Sequence, residues 1–251
     1  MRLMKRILSA AAVLALSASL LVGCSSGTAS SVPVSASSAA ESTVSSVEET
    51  ASSAVDENAA AAAQLLNDLT GSYQELWPVI LADEYKQTWL DDCTALVGEE
   101  NAEAAFEKLS SMVTSDVYGE DAVEAYANGG GAYFCGFTNS LATLTFDGET
   151  STISGTDKDG NVLFSHTYHY IGMEPVRGLY EFESDDADSG EFTYFFLAPD
   201  TSAETYHIEF RYGSDAEALS QYDAGEYAYW LASGISTDCD QTMIDNCIEL
   251  F

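Results

Sequence analysis

In "YHIEFRYG", Tyr206 to Gly213, a histidine, a glutamate and an arginine alternate with Tyr206, Ile208, Phe210 and Tyr212. Successive side chains of a strand point to opposite faces, so His207, Glu209 and Arg211 share one face and the apolar set takes the other. A neutral imidazole and a carboxylate two residues apart can give two ligands to a divalent ion, zinc above all. A catalytic or transport zinc site ordinarily takes three protein ligands and keeps one position open, so this pair needs a third donor. Arg211 suits a bare cation badly, and its guanidinium can pair with Glu209 instead. The triplet is therefore equally compatible with a structural network of His207, Glu209 and Arg211. The other two histidines, His166 and His169, lie three apart on one predicted strand and so on opposite faces. At most one of them can join an interior site.

Nothing else in the chain carries catalytic chemistry. There is no GxSxG motif, no phosphate-binding loop and no HExxH. Carboxylates occur throughout and single out no pair, so the expectation is a protein that is not an enzyme. "DKDGN", Asp157 to Asn161, shares residues with a calcium loop but lacks the later bidentate glutamate, and it reads as a hairpin turn. "SDDADSGE", Ser184 to Glu191, reads as a solvated acidic loop.

The elements that must position these residues fall into two halves. The first is helical after a short extended start at "LTGSYQEL": a helix from Pro78 to about Leu96, another over Asn101–Val113, and "EDAVEAYA" stopping at "NGGG". The second half alternates. Its predicted strands are Ala132–Phe137, Leu141–Phe146, Ser151–Ser154, Asn161–Tyr170, Leu179–Ser184, Glu191–Ala198 and Thr205–Tyr212. Short sequential strands of this kind predict an antiparallel β-barrel with flanking helices. Two helical pieces end the chain, around Asp215–Ser220 and Asp238–Leu250.

The N-terminus has a different role. Arg2, Lys5 and Arg6 precede an apolar run, Ile7 to Leu21, and "LVGC" follows, which together read as a lipoprotein signal peptide over residues 1–23 with Cys24 lipidated. The expected place is the extracytoplasmic face of a bacterial cell membrane, held there by acyl chains. Residues 24–57 are rich in Ser, Ala, Val and Glu without an aromatic residue, the composition of a flexible tether. The globular domain is residues 58–251. Removing residues 1–23 takes away three of eight basic residues and none of 41 acidic ones, leaving a formal charge of −36. Such a surface attracts cations and excludes nucleic acid as a partner.

Export permits disulfides. Cys239 and Cys247 read as eight residues apart on one helix, a rise of roughly 12 Å, too far for a bridge between them. Bridges from this helix to Cys93 or Cys135, or a single Cys93–Cys135 bridge, remain open.

The order of motifs resembles the ZinT (YodA) family, also found as the C-terminal domain of AdcA-type zinc-binding lipoproteins. The resemblance runs from Leu69 to Phe251. It is carried by "LTGSYQELWPVI", "TFDG" and "VRGLYEFES", and then by "FTYFFLAP", "YHIEFRYGS" and "YAYWLASGI". It implies a calycin-like, lipocalin-like barrel that binds zinc outside the cytoplasm and buffers it or passes it to a metal ABC importer. In the family three histidines hold the metal, one on the strand ending in Ala-Pro and two in a His-x-His on the next strand. Carried over, the first position is Phe195, which cannot ligate, and the His-x-His becomes His207 and Glu209. The family's paired cysteines fall at Ala142 and Ser184. The expected metal ligands are thus His207 and Glu209, with His166, His169 or an acidic loop as a further donor. The carboxylate makes the site harder than the family's. The alternative is a non-metal calycin module that holds a small organic ligand or a partner protein.

Overall fold

The computed structural model describes residues 57–199 and 207–251. The signal peptide, Cys24 and nearly all of the tether lie outside the described residues. Eight antiparallel strands pair in sequence order and close on themselves. They are β1 (Gly71–Glu75), β2 (Thr143–Asp147), β3 (Thr152–Thr156), β4 (Val162–Met173), β5 (Tyr180–Ser184), β6 (Tyr194–Leu197), β7 (His207–Gly213) and β8 (Ala232–Ser236). Closure leaves none of these strands as an open edge. The flanking helices are α1 (57–68), α2 (Leu76–Ile80), α3 (Lys86–Val97), α4 (Glu99–Val113), α5 (Glu120–Ala127), α6 (Ala216–Leu219) and α7 (Gln241–Ile248). The expected antiparallel barrel with flanking helices is the fold observed. Among the described residues no helix is long and apolar enough to cross a membrane.

Register decides what lies inside. Phe182 stands opposite Phe195, Phe195 opposite Tyr212, and Leu197 opposite Phe210. Paired residues share a sheet face, and all five are at most 1% exposed. The Phe195 ring stacks on Tyr212 at 5.4 Å and on Phe164 at 5.9 Å, and it meets Tyr168 edge-on at 5.4 Å. An eight-stranded barrel is just wide enough for side chains to pack across it. Here aromatic rings do so.

Helix α1 joins this core at the end of the barrel marked by the β2–β3 turn. Ala62, Leu65 and Leu66 recur at helical spacing and belong to the same apolar cluster as Phe146. Gly148, in that turn, sits so close that an added Cβ would lie 2.4 Å from the Asn67 Cα. Gly148→Ala is therefore expected to push α1 off the barrel and cost about 1–3 kcal/mol. A melting temperature equal to the parent's would show that α1 is not seated there.

Several boundaries differ from the sequence expectation. Ala132–Phe137 is not a strand; Phe134 makes only isolated bridges, to Thr114 and to Trp230. β8 went unpredicted because "ASGIS" lacks the β-branched and aromatic pattern. Small residues are needed there, since a Cβ at Gly234 would lie 3.0 Å from Ile208. The first long helix is interrupted by a 3-10 turn at Asp83–Tyr85, and the next starts at Glu99 after Gly98 rather than at Asn101. The last helix is capped by Asp240, whose carboxylate accepts from the Met243 N–H. Cys239 thus precedes that helix, and Cys93, Cys135, Cys239 and Cys247 are all free thiols. In "DKDGN" the Asp157 carboxylate accepts from the backbone N–H of Asp159 and Asn161 and from the Asn161 amide, at 2.8–2.9 Å. Those bonds close a hairpin turn and hold the Asp157 carboxyl below its usual range.

Candidate metal centre

β7 points Ile208, Phe210 and Tyr212 into the barrel and His207, Glu209 and Arg211 outward. Within the outward row Arg211 has partners of its own. Arg211 is fully buried and donates to backbone carbonyls of residues 219–227. Nη1 donates to the Leu219 and Gln221 carbonyls, and Nη2 to those of Gln221 and Tyr227. Its guanidinium lies 4.4 Å from the Tyr222 ring centre, and Arg177 lies 4.2 Å from the same ring. The Tyr222 hydroxyl donates to the buried Glu174 carboxylate at 3.4 Å. Burial lowers the Arg211 pKa to about 10, so it stays charged at neutral pH. Arg211 therefore ties the loop after β7 to the barrel wall.

His207 and Glu209 remain as a half-buried pair on this face. His207 stands opposite Ile235, and Glu209 opposite Ser233. The Ser233 N–H donates to the Cys135 carbonyl at 2.9 Å, so Cys135 continues the row beyond β8. Burial, and then the charge of Glu209, push the Cys135 thiol up to about 12, against a hydrogen bond from the Trp77 side chain. Cys247, buried in α7, is also pushed up to about 12. Folding thus favours the protonated thiols, a contribution present below their ordinary range and lost as pH rises towards about 12. Alkylation of the native protein at neutral pH is accordingly expected at the partly exposed Cys239 before Cys135 or Cys247. Mass spectrometry that found Cys135 labelled first would contradict this order.

The other histidines are elsewhere. His166 shares the inward row of β4 with Phe164 and Tyr168, and its Nδ1 is 2.8 Å from Asp186. His169 faces outward, opposite Glu183, with Nδ1 2.8 Å from Asp185, whose other oxygen accepts from the Thr167 hydroxyl. In an up-and-down barrel successive connections alternate between the two ends. The Asp185–Asp186 loop follows β5 and His207 follows the next connection, so His166 and His207 lie towards opposite ends. Neither the "SDDADSGE" loop nor His166 is placed to complete a site with His207. Among the described residues, no three His, Cys, Asp or Glu side chains are gathered around one point.

The family's three-histidine centre does not fit this sheet. Phe195 stands opposite Tyr212 on the inward face, whereas His207 and Glu209 are on the outward face. One ion cannot be reached from both sides of a strand. Two donors, His207 and Glu209, can take a divalent cation together with water or a third side chain. At the positions of the family's cysteines, Ser184 is buried and its hydroxyl accepts from Ser189 at 2.7 Å, while the Ala142 N–H donates to the Thr156 carbonyl at 2.8 Å.

The class defined by the structure is a closed eight-stranded antiparallel barrel with helices packed outside it. The chain is similar to the Zn(II)-bound ZinT-like domain of Streptococcus pneumoniae AdcA, with 16% identity, coverage of 74% of this chain and 89% of that one, and a TM-score of 0.46. It is similar also to Zn(II)-bound AdcA from Streptococcus pneumoniae, again at 16% identity, covering 72% of this chain and 34% of that one with a TM-score of 0.43. The chain thus spans about a third of that AdcA chain. No protein-family model and no curated protein matches it.

Proposed function

We propose that this chain is a lipoprotein anchored through Cys24 at the extracytoplasmic face, whose barrel binds a divalent metal ion through His207 and Glu209. The metal is zinc by preference, and the role is to buffer it or hand it to a metal ABC importer, without a catalytic step. The observation that carries the reading is the placement of an imidazole and a carboxylate, half-buried and two residues apart, on the outward face of β7. The sequence resemblance to the ZinT family and the strongly acidic surface agree with it. A competitive zinc titration of the full chain is expected to show one tight site, lost in His207→Ala and weakened in Glu209→Gln. Weak binding at many sites, unchanged in both variants, would sink the reading.

One observation favours a second reading. The inward Phe195, Phe210 and Tyr212 occupy the barrel with stacked rings. A calycin module that has kept the fold while losing the metal would look like this inside.

A further inference from the structure

At 12 residues β4 outruns its neighbours β3 and β5, each of 5. Residues 162–167 pair with β3, and residues 168–173 pair with β5. The other side of the first half is covered by the loop after β5. There the Asp185 N–H donates to the Thr167 carbonyl at 2.9 Å, and Asp186 meets His166. On the other side of the second half, the Tyr168 N–H donates to the Ser151 carbonyl at 2.9 Å. Backbone groups of a strand alternate between its two sides, so those of Tyr170 point the same way as those of Tyr168. Among the described residues no strand pairs with 169–173 from that side. Closure protects strands over the length they share, and the end of β4 lies beyond it.

His169, Ile171 and Met173 are exposed on this stretch, Ile171 at 40% and Met173 at 41%. A register shift between Tyr170 and Gly172 makes Ile171 an extra residue of the strand. The charge nearby is one-sided. β4 carries no carboxylate, while Glu183 and Glu181 on β5 stand opposite His169 and Gly172. Arg177, the basic residue of the β4–β5 hairpin, lies against Tyr222.

We infer that the edge of β4 at residues 169–173 is a docking site for an extended, basic segment of a partner protein, added as a further strand. Main-chain hydrogen bonds supply the affinity, and apolar side chains at alternate positions meet Ile171 and Met173. Lysine or arginine at the ends of the segment is drawn by a surface with 41 acidic residues in the chain against eight basic ones. The same field repels an acidic strand, that of a second copy of this chain included.

Titration of the full chain with a fluorescent peptide of alternating valine and threonine, with lysines at both ends, tests this. The expected result is saturable binding of one peptide per chain. Affinity should fall about tenfold or more when proline replaces the central valine, which removes a ladder donor at unchanged charge. Ile171→Lys, a change to an exposed side chain, should lose the binding with its melting temperature unchanged. Protection of the Tyr170 amide from hydrogen exchange in the complex would locate the added strand without any variant. Equal binding of the proline peptide would mean adsorption to the acidic surface, and binding of neither would mean that the edge docks no such segment. Protection of Tyr170 that rises with protein concentration alone would assign the edge to a second copy. Each of these three results overturns the proposal.

Discussion

Arg211→Met is expected to destabilise the barrel domain by about 3–5 kcal/mol and to lower its melting temperature by about 10 °C. The arginine is wholly buried, and its two terminal nitrogens serve the carbonyls of Leu219, Gln221 and Tyr227. Methionine fills a similar volume but donates no hydrogen bond, so those carbonyls would lose their donors at about 1–3 kcal/mol each where they remain buried. The loss would spread to Tyr222, which lies against both Arg211 and Arg177. Arg211→Lys is expected to recover little, because a single ammonium cannot serve three carbonyls in the fork geometry of a guanidinium. A melting shift under about 2 °C would show that the loop after β7 is held by something else. Zinc affinity of the folded fraction should be unchanged, since Arg211 shares a face with Glu209 but bonds elsewhere. That contrast separates a structural residue from a metal ligand.

Phe195→His gives the second large effect, and its direction runs against the simplest reading of the family resemblance. If the three carried-over positions met at one ion, restoring histidine at 195 would tighten zinc binding by orders of magnitude. The register puts residue 195 inside, opposite Tyr212, and the His207–Glu209 pair outside. The substitution is therefore expected to leave zinc affinity within about twofold. It should destabilise the fold by about 2–4 kcal/mol, by removing ring contacts and burying a polar imidazole among Phe164, Tyr168 and Phe210. The same titration and melting experiments read both quantities. A tenfold gain in affinity would mean that the barrel can present position 195 to the outward site, and the outer-wall assignment would fall.

Local sequence properties determined a good deal. Period-two alternation placed His207, Glu209 and Arg211 on one face, and the succession of short strands announced an antiparallel barrel. The Asp157–Asn161 turn was legible because its hydrogen bonds lie within five residues. So was the placing of His166 and His169 on opposite faces of one strand. Each of these follows from backbone geometry over a few residues, which is the range over which side-chain type constrains the chain.

Tertiary structure alone decided which face of β7 is inside, because that depends on closure with β8 and β1 and on rings contributed by β4, β5 and β6. It also decided the partner of Arg211. A guanidinium can take carboxylate or carbonyl oxygens with equal ease, and the carbonyls come from a loop whose residues carry no pattern. β8 was hidden for a related reason: its small residues answer to the approach of Ile208 and the Gln74 backbone, not to strand propensity. The charge of Glu209 reaches Cys135 only because β8 brings the two segments together. Residue types set the chemistry available to this chain, and contacts across distant segments set where that chemistry can meet.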